Sequence, residues 1–440
     1  MRRLTLISSL LMLFSASAAA QQSPWSLKAC IDYALDHNLS VKQSQLTVEQ
    51  REVDLNTAKS RRLPGVSAGA SENLSFGRGL TADNTYSNSN TTSTSFSLGA
   101  DIPVFQGFDI TNGIKLGKLN LEAATADLEK ARDDIRVAVA QAYVQILYNQ
   151  EILQVAKEQS AHDAELLEQV KDRLNAGKVS AADVSAQQAT LAQSRQSEIQ
   201  AEGNLQLSLL ELTQLLELQS PEGFAIVTPE VGDVSAMLLM RPEAIFSEAV
   251  EIKPAVEAAK INLDYAKLNI DRAKGAFLPS LSLNGGLGTN YYTNSKVQSL
   301  TFGEQLKNNF SQYVGLSLNI PIFQRFSARN SVRTAEINYR NQQIQLENVK
   351  KALYKEIQQA YYNAVNSQAR YGGSLESAAS AREHYELTEE KYKVGKAGIA
   401  EYNDARNNAL KAESELIQAR YQCLYQAKLL DFYRGEELNF

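Results

Sequence analysis

The stretch Ile-Pro-Val-Phe-Gln-Gly-Phe, residues 102–108, returns as Ile-Pro-Ile-Phe-Gln-Arg-Phe, residues 320–326. The spacing of 218 residues holds elsewhere, with Gly177-Lys178 recurring as Gly395-Lys396. Upstream it shortens slightly, and Leu63-Pro64 faces Leu278-Pro279 at 215 residues. A repeat of this length is a duplicated domain and not a solenoid unit. The reading is a first repeat over 21–219, a connector over 220–241 carrying Pro221, Gly223, Pro229 and Gly232, and a second repeat over 242–440.

Both repeats show the same order of periodicities. A helical stretch (26–59; 242–274) leads into two alternating segments around a polar loop, then into very long helices. The alternation predicts β-hairpins over 63–105 and 278–323. In the first, Val66, Ala68, Ala70, Leu74 and Phe76 face Phe96, Leu98, Ala100, Ile102 and Val104, with Ser, Gly and Asn filling most of the other face. The second hairpin sets Leu281, Leu283 and Leu287 against Val314, Leu316, Leu318, Ile320 and Ile322. The loops near Gly77 to Thr91 and Tyr292 to Asn308 are rich in Asn, Ser and Thr and suit solvent.

Strands of about 12 to 14 residues at about 3.3 Å per residue, tilted about 45°, reach across an outer-membrane apolar band. A soluble sandwich hairpin would show the same alternation. Four strands cannot close a membrane barrel, because the smallest known need about eight. Three copies would supply twelve, with the apolar face toward lipid and the small polar face toward a lumen.

Proline is absent between Val104 and Ser220, and again after Ile322. A helix from about Lys118 to Leu174 would be roughly 85 Å long, far beyond globular norms. Its seam runs Ile135, Val139, Ala142, Ile146, Leu153, Ala156, Leu167, Val170 and Leu174. The last helix steps by three and four through Tyr402, Ala405, Ala409, Ala412, Leu416, Ala419, Cys423, Gln426 and Leu430, a coiled-coil pattern. Gly372-Gly373, unmatched in the first repeat, marks a place where a kink would break the internal symmetry. Gly177 and Gly395 mark where each long helix turns back, followed by Ser180 with Asp183 in one repeat and Glu401 in the other.

Residues 1–20 read as an export signal: Arg2 and Arg3, an apolar run from Leu4 to Phe14, and Ala18-Ala19-Ala20 before Gln21. No later apolar run approaches the 20 or so residues of a spanning helix, so any membrane crossing falls to strands. The formal charge of −6 is distributed and leaves no nucleic-acid footprint. Gly65-Val66-Ser67-Ala68-Gly69 matches a nucleophile-elbow pattern, yet Ser67 sits inside an alternating strand and not at a strand-to-helix turn. His37, His162 and His384 are scattered without ligand spacing and read as helix-surface residues, so no metal or cofactor is expected. Cys30 and Cys423 read as small core residues, with a disulfide left open. Met237 and Met240 give no methionine route for copper. Phe440 follows no strand and reads as a tail.

Taken together, the chain resembles the outer-membrane efflux proteins, the TolC-like channels. The likeness rests on WSLKACIDYALDHNL at residues 25–39, on the Leu-Pro opening the first strand of each repeat, on the two copies at 102–108 and 320–326, and on the tips around Gly177 and Gly395. It implies an α+β membrane protein: a tandem-duplicated protomer of four strands and long coiled-coil helices. Three such protomers would build a twelve-stranded barrel continuing into a periplasmic helical tunnel, in the outer membrane of a Gram-negative bacterium. It implies a passive exit duct of an efflux or type I secretion system, not an enzyme, with a periplasmic adaptor, an inner-membrane transporter and outer-membrane lipid as partners. On that resemblance the gate and tip candidates are Gly177, Lys178, Asp183, Tyr392, Gly395, Lys396, Glu401 and Asp404. Asp183, Glu401 and Asp404 would form rings that favour cations. Ala397 stands where some members carry Arg, so Lys178 and Lys396 would supply part of the polar latch. Helix capping alone would also explain Asp183 and Glu401. A structural coiled-coil or adhesin-like surface protein is the alternative; it would share the helices without needing lipid-length hairpins.

Overall fold

A computed structural model of the chain describes residues 24–80, 84–229 and 239–439. The expected export signal, Met237, Phe440 and residues 230–238 of the connector lie outside the described residues. The first repeat comprises α1 (Leu27–His37), α2 (Leu39–Ser60), β1 (Gly65–Ser75), β2 (Arg78–Leu80), β3 (Tyr86–Asn88), β4 (Thr91–Gln106), α3 (Asp109–Asn175) and α4 (Ala181–Leu215). The second comprises α5 (Pro242–Ile252), α6 (Pro254–Lys274), β5 (Ser280–Asn294), α7 (Phe302–Asn308), β6 (Ser311–Asn319), α8 (Ser327–Lys393) and α9 (Ile399–Tyr433). The long helices α3 and α8 are each 67 residues, and α4 and α9 are each 35.

Local chemistry explains where the expected helical stretches break. The stretch 26–59 is two helices because Asn38 interrupts it. Its amide bonds back to Ala34, its side-chain NH2 donates to the Leu215 carbonyl at 3.0 Å, and its side-chain oxygen accepts from the Ser40 amide at 2.9 Å. The stretch 242–274 breaks before Pro254, which has no N–H to continue a helix but suits the first turn of the next. Helix α8 runs uninterrupted through Gly372 and Gly373, where the sequence suggested a kink; a Cβ at either would meet open space, so nothing forces the helix apart there.

Two compact units form, and each draws on both repeats. One contains Thr47–Thr125 and Ala258–Glu347; the other contains Met1–Leu46, Ala126–Glu257 and Asn348–Phe440. The first unit holds an antiparallel sheet in the order β1-β4-β5-β6. Its register puts Val66, Ala100, Gly285 and Val314 in one row, with Ala68, Leu98, Leu287 and Gln312 in the next. The opposite face alternates with these rows and is small and polar: Ser67, Gly99 and Gly286, or Gly69, Ser97, Gly288 and Ser311. Tyr292, opposite Ser93, and Tyr313 are larger residues on that face, and the Tyr313 ring lies where a Cβ on Gly286 would sit.

Three sequence expectations shift here. A bulge between Pro103 and Phe105 makes Phe105, not Val104, the partner of Leu281, so Val104 drops out of the apolar row. Strand β6 stops at Asn319, short of Ile320 and Ile322, because Pro321 cannot donate a ladder hydrogen bond. The loops also hold short elements not expected from their sequence: one carries the β2–β3 pair, and the other carries α7, capped by Thr301 and Glu304. Gln305 of α7 accepts from the Tyr292 amide at 3.0 Å and donates to the Tyr292 carbonyl at 2.9 Å, tying the loop to β5.

The other unit buries a core of Cys30, Ile31 and Ala34 from α1, Val139, Tyr143 and Ile146 from α3, and Leu212 from α4. The connector joins it: Phe224 and Ile226 are buried, and the Tyr143 hydroxyl donates to the Val227 carbonyl at 2.6 Å. Cys30 and Cys423 are both buried thiols in separate clusters, and no disulfide joins them. Burial pushes the Cys30 thiol up to about 12, so it behaves as an apolar residue.

At the strand-to-helix junction, Gly107 and Gly275 pack backbone to backbone. A Cβ on either would overlap the carbonyl oxygen of the other, and Gly107 has φ +57°. Gly275→Ala is therefore expected to destabilise the sheet unit by about 1–3 kcal/mol. Gly373→Ala, in open helix, should instead stabilise by about 0.5–1 kcal/mol. Equal thermal unfolding midpoints for the two variants would refute this reading of the junction.

Candidate functional site at the helical-hairpin tips

Each long helix ends in a left-handed glycine, Gly177 at φ +70° and Gly395 at φ +75°. The Gly177 amide bonds to the Leu174 carbonyl and the Lys178 amide to the Arg173 carbonyl, both at 2.8 Å; Gly395 and Lys396 repeat this on Tyr392 and Lys391. These are Schellman stops, and they leave the Lys178 and Lys396 side chains exposed at the turns.

The two tips differ in how the returning helix begins. Ser180 and Asp183 form a reciprocal capping box on α4, the Asp183 carboxylate accepting from the Ser180 amide at 2.8 Å and hydroxyl at 2.7 Å. Those two bonds, the hydroxyl's first, hold the carboxyl below its usual range although it is fully exposed. Gly398 caps α9 with no side chain, so Glu401 has no reciprocal partner. Glu401 and Asp404 lie one turn apart and are both exposed, and among the described residues neither is paired with a cation. The structure thus separates the expected acids: Asp183 is engaged in capping, whereas Glu401 and Asp404 are exposed and make no cap.

Tyr392 is buried and belongs to a cluster with Leu166, Val170 and Tyr402 that joins α3, α8 and α9. Its ring stacks on Tyr402, centroids 4.8 Å apart, and the Arg173 guanidinium lies 4.7 Å from its centroid. Among the described residues no hydrogen bond links it to Asp183.

Behind this cluster lies a polar node that sequence reading missed. Arg406 on α9 donates to Asp163 on α3 at 2.6 Å, with Asp163 only 1 % exposed. The Asn403 side chain donates to Gln187 of α4 at 3.0 Å, and the Gln187 side chain is aimed at the Asp163 carbonyl at 3.4 Å. His162 contacts the Tyr402 hydroxyl at 2.9 Å, which in turn lies 3.2 Å from the Tyr385 hydroxyl of α8. His162 is therefore not the surface residue that its sequence suggested. Burial, then the Arg406 charge, lowers its pKa; burial, then the Tyr385 contact, raises that of Tyr402. The node has no counterpart in the duplication, since Ala381 stands at the position equivalent to Asp163 and Gln188 at that of Arg406. That break in symmetry was the one signal available in the sequence.

Four strands of membrane-crossing length with an exposed apolar face, a duplicated order and two long helical hairpins define a class of protein: a β-stranded membrane protein with a large helical portion. The model of the outer membrane efflux protein family matches residues 30–217 and 245–436, and the chain belongs to that family. It is 26 % identical over 378 residues to the outer membrane protein TolC of Escherichia coli, covering 84 % of this chain and 74 % of TolC. It is 25 % identical over 416 residues to OprJ of Pseudomonas aeruginosa, covering 93 % and 83 %. The fold superimposes on the Campylobacter jejuni CmeC outer membrane channel with a TM-score of 0.76 at 20 % identity, covering 94 % of this chain and 87 % of CmeC. The protein is an outer-membrane efflux channel with a large periplasmic portion.

Two outcomes follow for the node. Arg406→Ala leaves a buried carboxylate unpaired and should cost about 3–5 kcal/mol, while the pair Asp163→Leu/Arg406→Met should recover most of it, read from unfolding midpoints. Because His162 has a depressed pKa, its contribution is complete above the ordinary imidazole value of about 6.5 and is lost as pH falls through the lower folded value. Hydrogen-exchange protection at 399–406 should therefore drop on acidification from pH 7 to pH 5, and His162→Gln should abolish that drop.

Proposed function

We propose that three copies of the chain close a twelve-stranded barrel and act as the passive exit duct of a tripartite efflux or type I secretion system. The observation that carries this is the open sheet. Strands β1 and β6 each have one unpaired edge among the described residues, and the row beside them is apolar and exposed, Val314 at 82 % and Leu316 at 70 %. No membrane accepts unpaired strand edges, and closure by neighbouring copies satisfies them.

In this reading the hairpin tips form the periplasmic entrance and meet an adaptor and an inner-membrane transporter. Threefold symmetry gathers Glu401 and Asp404 into rings whose field favours cations. Gly177 and Gly395 shape the turns, Tyr392 joins the hairpins, and Lys178 and Lys396 stand in for the missing Arg at Ala397. Asp183 contributes mainly as a cap, with Ser180 shielding its charge.

The test is single-channel conductance of the purified chain in a planar bilayer beside Glu401→Gln/Asp404→Gln. A mass of three chains, discrete cation-preferring steps, and a selectivity that falls several-fold in the variant are expected. A monomer that conducts nothing would return the chain to the structural coiled-coil class.

A further inference from the structure

We propose that the collar where the four strands pass into helices is a binding surface for anionic phospholipid headgroups. This rests on the channel reading, which puts that end of the sheet at the periplasmic leaflet. The register brings all four junctions to one edge of the sheet: Gly65 lies opposite Asp101, Gln106 opposite Ser280, and Ser280 opposite Asn319.

Aromatic groups finish the apolar face at this edge. Phe105 continues the row of Leu281 and Leu318, and Phe108 sits edge-on to it at 5.2 Å. Phe323 and Phe326 repeat the arrangement at 5.6 Å, with Phe323 71 % and Phe326 61 % exposed. Both pairs are displayed by the same turn, for φ is positive at Gly107 and Phe108 and again at Arg325 and Phe326. An exposed ring pair beside a lipid-facing row is the pattern of a bilayer interface.

Immediately beyond the rings the charge changes sign from that of the whole chain. Segments 59–64, 105–118, 270–279 and 320–334 carry ten lysines and arginines against two aspartates. Both aspartates are already engaged: Asp109 accepts from Arg61 at 2.9 Å and Arg272 at 2.7 Å, and Asp271 pairs with Lys274 at 3.3 Å. Arg62, Arg329 and Arg333 are exposed and, among the described residues, have no carboxylate partner. Arg329 and Arg333 lie one turn apart, where like charges repel. A sheet of phosphate groups supplies the missing counter-charge at the depth set by the phenylalanines, and a basic residue near an anionic surface is worth about a fivefold gain in binding.

The test exchanges the purified full chain into mixed micelles of phosphatidylglycerol and phosphatidylcholine and counts retained lipids by native mass spectrometry. Wild type should retain phosphatidylglycerol in roughly tenfold excess or more. Arg62→Gln/Arg329→Gln/Arg333→Gln should lose most of that preference, with unchanged circular dichroism and unchanged conductance in a zwitterionic bilayer. Equal retention of the two lipids, or a preference untouched by the substitutions, overturns the proposal. So does lipopolysaccharide displacing phosphatidylglycerol through the same arginines, which would assign the belt to the other leaflet. A chain that conducts in no bilayer fails the channel reading and the belt with it; conduction without lipid preference fails the belt alone.

Discussion

A strand edge inside a bilayer has no water to bond, and this constraint governs the protein. Among the described residues its sheet has four strands, an exposed apolar face, and open edges at β1 and β6. Each unpaired backbone group in hydrocarbon costs several kcal/mol, which is the physical ground for the proposal that neighbouring copies close the sheet. The serine and glycine face is the other half of the same design. Small side chains dominate that face, and one of its larger residues, Tyr313, covers Gly286.

The junction between sheet and helices has to reconcile two geometries within a few residues. In the first repeat it does so with Gly107, whose positive φ and missing Cβ let the chain turn against Gly275. In the second repeat Arg325 adopts the same left-handed backbone at φ +51°, at a cost of about 1 kcal/mol for a side chain that glycine would avoid. The retained arginine belongs to the basic belt, and the cost of its backbone is consistent with a charge serving the surface and not the fold.

In the helical unit, duplication supplies two matching hairpins, but what joins them is not duplicated. Asp163, Arg406, His162, Tyr402, Gln187 and Tyr385 tie four helices together through contacts that have no second copy. The node is well placed to set the relation between hairpins, because an unpaired buried carboxylate is far costlier than a lost surface contact. The tip acids differ in the same way: one tip spends its carboxylate on a cap, and the other leaves two exposed.

Sequence alone determined the duplication, the four strands, the seams and the turning points at Gly177 and Gly395. These depend on short periods and on backbone requirements that a single residue can declare. Buried seam positions such as Val139, Ile146 and Val170 were legible because burial on a long helix repeats every three or four residues. Only the tertiary structure decided where β6 stops, which residue bulges out of β4, that the loops carry a hairpin and a helix, and which acid is a cap. It alone brought Asp163 to Arg406 and His162 to Tyr402, partners 243 and 240 residues apart. Such pairs leave no periodic trace: each is a single contact between helices, fixed by how they pack and not by the order of residues along either one.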